Sequence, residues 1–187
     1  MKATVLAALL PLLLAGCAAS TGGVTAPADG TGDVNAAVQE YRTLEAPVTF
    51  SGRTVTGGTF RSKDAIGQVL VVNFWYAGCP PCRKEAPVLR QLSERFAKQR
   101  VQFVGINVRD EAATAAAFDR EFSIPYPSIL DADSGTVQLA FSRNIQANAV
   151  PTTLVLDRQG RVRARILGGI PAPSILATLI SDAVAAR

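Results

Sequence analysis

Seven residues, Val69-Leu70-Val71-Val72-Asn73-Phe74-Trp75, lead almost directly into Cys79-Pro80-Pro81-Cys82, and a helical pattern follows at once. An apolar, β-branched run of that kind reads as a strand buried on both faces. The prolines cannot extend a sheet ladder but suit the first turn of a helix, so the strand hands over to a helix at Cys79. That helix should run from about Pro80 to Lys98, with Glu85, Leu89, Leu92 and Phe96 on one face and Pro87 kinking it.

A cysteine at a helix N-terminus meets unpaired amides and the positive end of the helix dipole, which favour thiolate over thiol. Cys79 is therefore a candidate nucleophile, with Cys82 one turn further in. Half of a zinc site or an inert structural disulfide would have the same spacing. Against zinc, the chain has three cysteines and no histidine, and one cysteine lies in the N-terminal segment, so four Cys/His ligands cannot be assembled within one chain. A structural bridge closing so short a loop would stabilise little. Glu85 shares an apolar helix face, which predicts a partly desolvated carboxyl that exchanges protons with Cys82 three residues earlier. The alternative is a surface glutamate paired with a neighbouring arginine.

The N-terminus carries one positive charge, Lys2, and then an apolar stretch ending at Leu14, too short to span a bilayer comfortably. This reads as an export signal. Residues 18–40 are rich in Ala, Gly, Thr, Asp and Pro without periodicity, and are expected to form a flexible tether with a root-mean-square span of roughly 25–30 Å. Residues 41–187 are then the size of one domain. Removal of Lys2 lowers the formal +4 by one, and the remaining basic residues are scattered. Arg161, Arg163 and Arg165 alternate on an apparent strand, which marks one wet sheet face and gives no reason to expect a nucleic-acid partner.

Local pattern predicts the remaining elements. Residues 48–50 and 54–56 read as a hairpin turning at 51–53, and residues 101–108 as a second core strand. Asp110 is placed to cap a helix running to about Phe122, and a short helix follows over 134–141. Residues 152–156 and 162–167 form a further hairpin around Asp157-Arg158-Gln159-Gly160. Pro173 opens a last amphipathic helix bearing Ile175, Leu176, Leu179, Ile180 and Val184. Strand–helix–strand implies a right-handed parallel crossover, and the whole an α/β fold in three layers with a mixed central sheet.

The segment Asn73-Phe74-Trp75-Tyr76-Ala77-Gly78-Cys79-Pro80-Pro81-Cys82-Arg83-Lys84-Glu85-Ala86-Pro87 resembles the active-site stretch of thioredoxin-fold proteins, and more narrowly of exported thiol-disulfide oxidoreductases of the TlpA/ResA type. Val150-Pro151-Thr152-Thr153 resembles their cis-proline loop, and Leu14-Ala15-Gly16-Cys17 a bacterial lipobox. The likeness covers nearly all of residues 44–187, with Gly78 and Ala149 standing where the family usually carries Trp and Gly.

The resemblance implies a thioredoxin-like fold with an N-terminal β-hairpin and a redox-active Cys79/Cys82 pair. It also implies an acid at Glu85, and a substrate-binding edge at Val150 and a cis Pro151. The lipobox implies a lipoprotein signal segment over residues 1–17 and acylation of Cys17, holding the domain at the outer face of a membrane; the alternative is an ordinary signal cleaved near Ala18 or Ala19 with an incidental cysteine. Implied partners are protein thiols and disulfides and a membrane-bound redox protein; no cofactor and no metal are implied. Reduction of substrates is the favoured direction. The alternatives are a disulfide-forming oxidant on the same fold and a copper-binding module using the two thiolates. A peroxidase on this fold would need a Thr-x-x-Cys arrangement that the chain lacks.

Overall fold

The structure, a computed structural model, describes residues 36–146 and 149–186. The export segment and Cys17 lie outside the described residues, as does most of the expected tether. The central strand β4 (Val69–Trp75) is buried along its whole length. Its side chains alternate between two cores, as the period of two requires. Val69 and Val71 join one cluster with Leu89, Leu92 and Phe96. Leu70, Val72 and Phe74 join another with Phe50, Phe60 and Phe141. Each such fully buried side chain contributes about 1.5–3 kcal/mol relative to exposure.

Helix α1 (Pro80–Phe96) carries the chain back to β5 (Val101–Asn107), which pairs with β4 in parallel from Val69↔Val101 to Trp75↔Asn107. Parallel neighbours need a crossover of this length. The helix continues through Pro87, with Leu89, Leu92 and Phe96 buried on the predicted face. On the other side of β4 lies β7 (Thr152–Leu156), antiparallel, followed by β8 (Val162–Leu167). The last helix, α4 (Pro173–Ala185), packs Leu176, Leu179 and Ile180 into the same cluster as α1. With β1 (Ala37–Glu40) and β6 (Ser128–Leu130) at the edges, the sheet order is β1-β8-β7-β4-β5-β6. The expected three-layer, mixed-sheet architecture is what the chain adopts.

Four local expectations are corrected. The tether does not reach residue 40, because β1 pairs antiparallel with β8 from Ala37↔Leu167 to Glu40↔Ala164. The domain therefore includes residues below 41. Exposed strand residues without alternation leave no periodic signal, and only the open edge of β8 defines this strand.

The N-terminal hairpin is also shifted: its strands are β2 (Ser51–Arg53) and β3 (Thr59–Arg61), not 48–50 and 54–56. The reversal falls at Gly57, whose φ of +87° suits glycine. There Thr54 N–H donates to the Gly58 carbonyl at 2.9 Å. Thr54 instead bridges to Ile129, and Val55 N–H donates to the Ser128 carbonyl at 2.8 Å.

The strand β6, only three residues long, has no counterpart in the sequence reading. Helix α2 (Ala112–Glu121) is the fourth correction, since its N-cap residue is Glu111 rather than Asp110. Asp110 is engaged elsewhere, at the site described next. A five-residue helix, α3 (Thr136–Ala140), lies within the predicted 134–141.

Candidate active site

The site forms where β4 ends and α1 begins. Cys79 is the N-cap residue of α1, extended in backbone, and Pro80 and Pro81 occupy the first two helical positions. Its sulfur accepts a hydrogen bond from Cys82 N–H at 3.2 Å, so it meets one of the orphan donors of the helix start. The two cysteines form a disulfide, with Cα atoms 5.2 Å apart.

The loop entering the helix is tied down at both ends. Ala77 N–H donates to Asp110 Oδ2 at 2.6 Å, and Cys79 N–H to the Tyr76 carbonyl at 3.2 Å. Asp110 is held in turn by Asn107 Nδ2–H at 2.8 Å. Asn107 Oδ1 accepts from the backbone of Asp110 at 2.8 Å, which closes the turn after β5. A carboxylate expected to cap α2 thus braces the cysteine loop instead, because the turn aims it across the top of the sheet.

Two arginines flank the loop. Arg109 lies 4.3 Å over the Tyr76 ring and Arg83 4.9 Å over the Phe122 ring. Arg83 also pairs with Glu121, a contact between half-exposed side chains that contributes about 0–1 kcal/mol.

Cys79 is not exposed as expected. It is 1 % accessible and Cys82 2 %. Both belong to a cluster with Trp75, Ala86, Ala115 and Phe118, against which Tyr76, Ala77 and Val150 also pack. The immediate neighbours Gly78 and Pro80 are exposed. The sulfur therefore sits one layer beneath an open loop, because the disulfide turns it inward onto apolar neighbours and the α1 N-terminus.

Glu85 lies one turn beyond Cys82, 3 % accessible among apolar residues. Asn73 Nδ2–H donates to its Oε1 at 2.8 Å, and Ile170 N–H to its Oε2 at 3.1 Å. Asn73 also donates to Thr153 Oγ1 at 3.1 Å, so β4 and the loop after β8 meet α1 at this carboxyl and β7 is joined to it through Asn73. The surface-glutamate alternative is excluded by that burial. The Val150–Pro151 peptide is cis, Pro151 is buried, and Val150 packs on the cysteine cluster.

The family model described as AhpC/TSA family matches residues 43–165. The chain belongs to this family. Among curated relatives, the thiol-disulfide oxidoreductase ResA of Geobacillus kaustophilus is 29 % identical over 112 residues, covering 60 % of this chain and 62 % of the relative. The thiol:disulfide interchange protein DsbE of Pseudomonas aeruginosa is 39 % identical over 106 residues, covering 56 % of this chain and 54 % of the relative. The chain therefore spans little more than half of those relatives. A solved thiol:disulfide interchange protein of the thioredoxin family from Chlorobium tepidum superposes with a TM-score of 0.69 at 30 % identity, covering 78 % of this chain and 99 % of the other. The thioredoxin-like fold is thereby shown.

On this AhpC/TSA-family scaffold, Cys79, Cys82 and Glu85 from the start of α1 are brought together with Val150 and Pro151 from the segment before β7, two segments distant in sequence. Asp110 and Asn107 were not singled out for this role, although an Asn-x-x-Asp turn directly after a core strand is a legible signal. A second acid, Asp119 on α2, also lines the space beside Cys82. Burial pushes its carboxyl up to about 6, with the Ser128 hydroxyl acting in the opposite sense. The Tyr126 hydroxyl beside it is pushed above its ordinary range, first by burial and then by the charges of Glu85 and Asp119. No group of three or more metal-ligating side chains occurs among the described residues.

Proposed function

We propose that this protein is an exported thiol-disulfide oxidoreductase that exchanges its Cys79–Cys82 pair with protein partners, acting as a reductant. The observation that carries this reading is the disulfide at the N-cap of α1, with the Val150–Pro151 edge packed against it. The likeness to the thiol-disulfide oxidoreductase ResA and the thiol:disulfide interchange protein DsbE supports the same chemistry.

In the reduced protein the helix N-terminus stabilises a Cys79 thiolate. That thiolate attacks one sulfur of a partner disulfide, forming a mixed disulfide and expelling the other partner sulfur as a thiolate. Cys82 then gives its proton to the Glu85 carboxylate and attacks Cys79. The Cys79–Cys82 bond forms and the partner leaves reduced by two electrons. A dithiol donor returns the pair to the reduced form, and a membrane-bound redox protein would fill that role. The backbone of Val150 offers a docking edge on which an extended partner segment can pair as an added strand.

Direction is set by reduction potential. Equilibration of the chain, freed of its export segment, with glutathione buffers of graded ratio is expected to give a midpoint near the thioredoxin value of about −270 mV. A midpoint near about −120 mV would make the protein an oxidant and reverse the proposed direction. The copper-binding alternative gains no support from the site, because the two sulfurs are bonded to each other and no further soft ligand stands nearby among the described residues.

The proposed placement is at the outer face of a membrane through acylated Cys17, supported by the Leu14-Ala15-Gly16-Cys17 sequence after an apolar stretch. Cells fed an alkyne fatty acid should label the wild-type protein and not Cys17→Ala. Equal labelling of both would remove the anchor from the proposal.

A further inference from the structure

Beside Cys82 is a recess of about 10 Å³, lined among others by Asn73, Trp75, Cys82, Asp119, Tyr126 and Ser128. That is room for one water molecule, and Asn73, Asp119, Ser128 and the Trp75 indole offer the polar partners such a water needs. Two walls of the recess, Trp75 and Ser128, take their places because β5 has a glycine at position 105. A Cβ at Gly105 would lie 2.7 Å from Trp75 Nε1 and 2.8 Å from Ser128 Oγ. Ser128 Oγ–H donates to Asp119 Oδ1 at 3.3 Å, which points the carboxylate along the recess wall. Glu85 differs in that both of its oxygens are already engaged, by Asn73 and by Ile170 N–H.

We propose that Asp119 is a second proton-holding group for Cys82, a positioning residue that acts through the recess rather than by contact. The inference rests on the exchange reading above and adds a route to its resolving step. When Cys82 attacks the mixed disulfide, its S–H proton passes through a water in the recess to the Asp119 carboxylate. The Cys82 sulfur bonds to Cys79, the partner sulfur leaves with the electron pair of the broken bond, and Asp119 releases its proton to solvent. No further oxidant or reductant enters.

The groups sharing the recess with Asp119 are Cys82 from α1, Tyr126 from the segment after α2, and Ser128 from β6; Glu85 acts with Asp119 on the Tyr126 hydroxyl, and on α2 itself Arg120 and Glu121 follow, the latter paired with Arg83. Tyr126 stays a neutral hydroxyl through the relevant range. Burial raises Asp119 to about 6. Above that pH it is a carboxylate able to take the proton; below it, the site is already filled. The resolving step should therefore slow as pH falls through about 6.

The test mixes the fully reduced chain with a chromogenic aromatic disulfide and follows two successive releases of coloured thiolate, the second reporting attack by Cys82. In the wild type the rate of the second release should show an inflection near pH 6. Asp119→Asn should lose that inflection and run severalfold slower at neutral pH, less than the full range of proton-transfer effects because Glu85 remains as a parallel acceptor. Asp119→Glu should restore an inflection. Ser128→Ala, which removes the bond that favours the charged acid, should move it to higher pH, a shift that a merely structural role would not produce. An unchanged profile in Asp119→Asn, or an inflection lost only in Glu85→Gln, overturns the proposal. Absence of even the first release from the wild type overturns the exchange reading itself.

Discussion

A Cys79→Ser protein is expected to lose disulfide exchange by a factor on the order of 10³ or more, because a serine hydroxyl at neutral pH supplies almost no anion to attack sulfur. The substitution isolates chemistry from folding. Serine is itself a favoured N-cap residue, so its oxygen can accept from Cys82 N–H as the sulfur does now. Cys82→Ser should behave differently: the first attack still occurs, but no second sulfur resolves the product. A covalent Cys79–partner adduct should accumulate and be visible on a non-reducing gel. The burial of both sulfurs makes this contrast informative, since exposure alone does not rank them. If Cys82→Ser left no adduct and Cys79→Ser captured the partner, the roles of attacking and resolving cysteine would have to be exchanged.

Glu85→Gln carries the second large effect. Loss of the titrating carboxyl should slow the resolving step severalfold while Asp119 remains, and by about 10² or more when Glu85→Gln and Asp119→Asn are combined, within the range of general acid–base catalysis. A structural penalty is expected as well. Both carboxyl oxygens accept from N–H donors, one from Asn73 and one from Ile170. A glutamine would set its own NH2 against one of them, leaving buried donors unpaired at about 1–3 kcal/mol. Thermal melting reads that penalty and the pH–rate profile reads the chemistry, so the two are separable. A destabilised protein whose rate still followed the wild-type pH profile would reduce Glu85 to a structural brace.

These effects fall on residues that the sequence already marks. The strand at 69–75, the turn of prolines and the apolar face of α1 are local patterns, and Cys79, Cys82 and Glu85 are spaced by single turns of one helix. Residues so related share a face whatever the rest of the chain does. The hairpin was legible as a hairpin but not in register. Two turn signals competed, and Gly57, at φ +87°, prevails over the Ser51-Gly52-Arg53 stretch because left-handed backbone costs glycine little. Gly52 is then free for a different use, allowing β2 to lie against the Ile129 side chain.

Asp110 shows the limit of local reading more sharply. An acid just before a helix has a sound reason to cap it, yet its carboxyl braces the backbone of Ala77 thirty-three residues away. The burial of Cys79 has the same origin. N-cap placement follows from the prolines, whereas the burial of Cys79 is completed by Phe118 and Val150, which meet it only in the folded chain.

Short-range periodicity was thus enough to set the core strands β4, β5, β7 and β8, the helices, the α/β class and the reactive helix start, because backbone hydrogen bonding and side-chain period act within a few residues. Tertiary structure alone decided that Asn73 and Ile170 would hold Glu85, that Asp119 would share a recess with Cys82, and that β1 would complete the sheet edge. Those outcomes depend on closing long loops and on which donors and acceptors are left over once the core has packed.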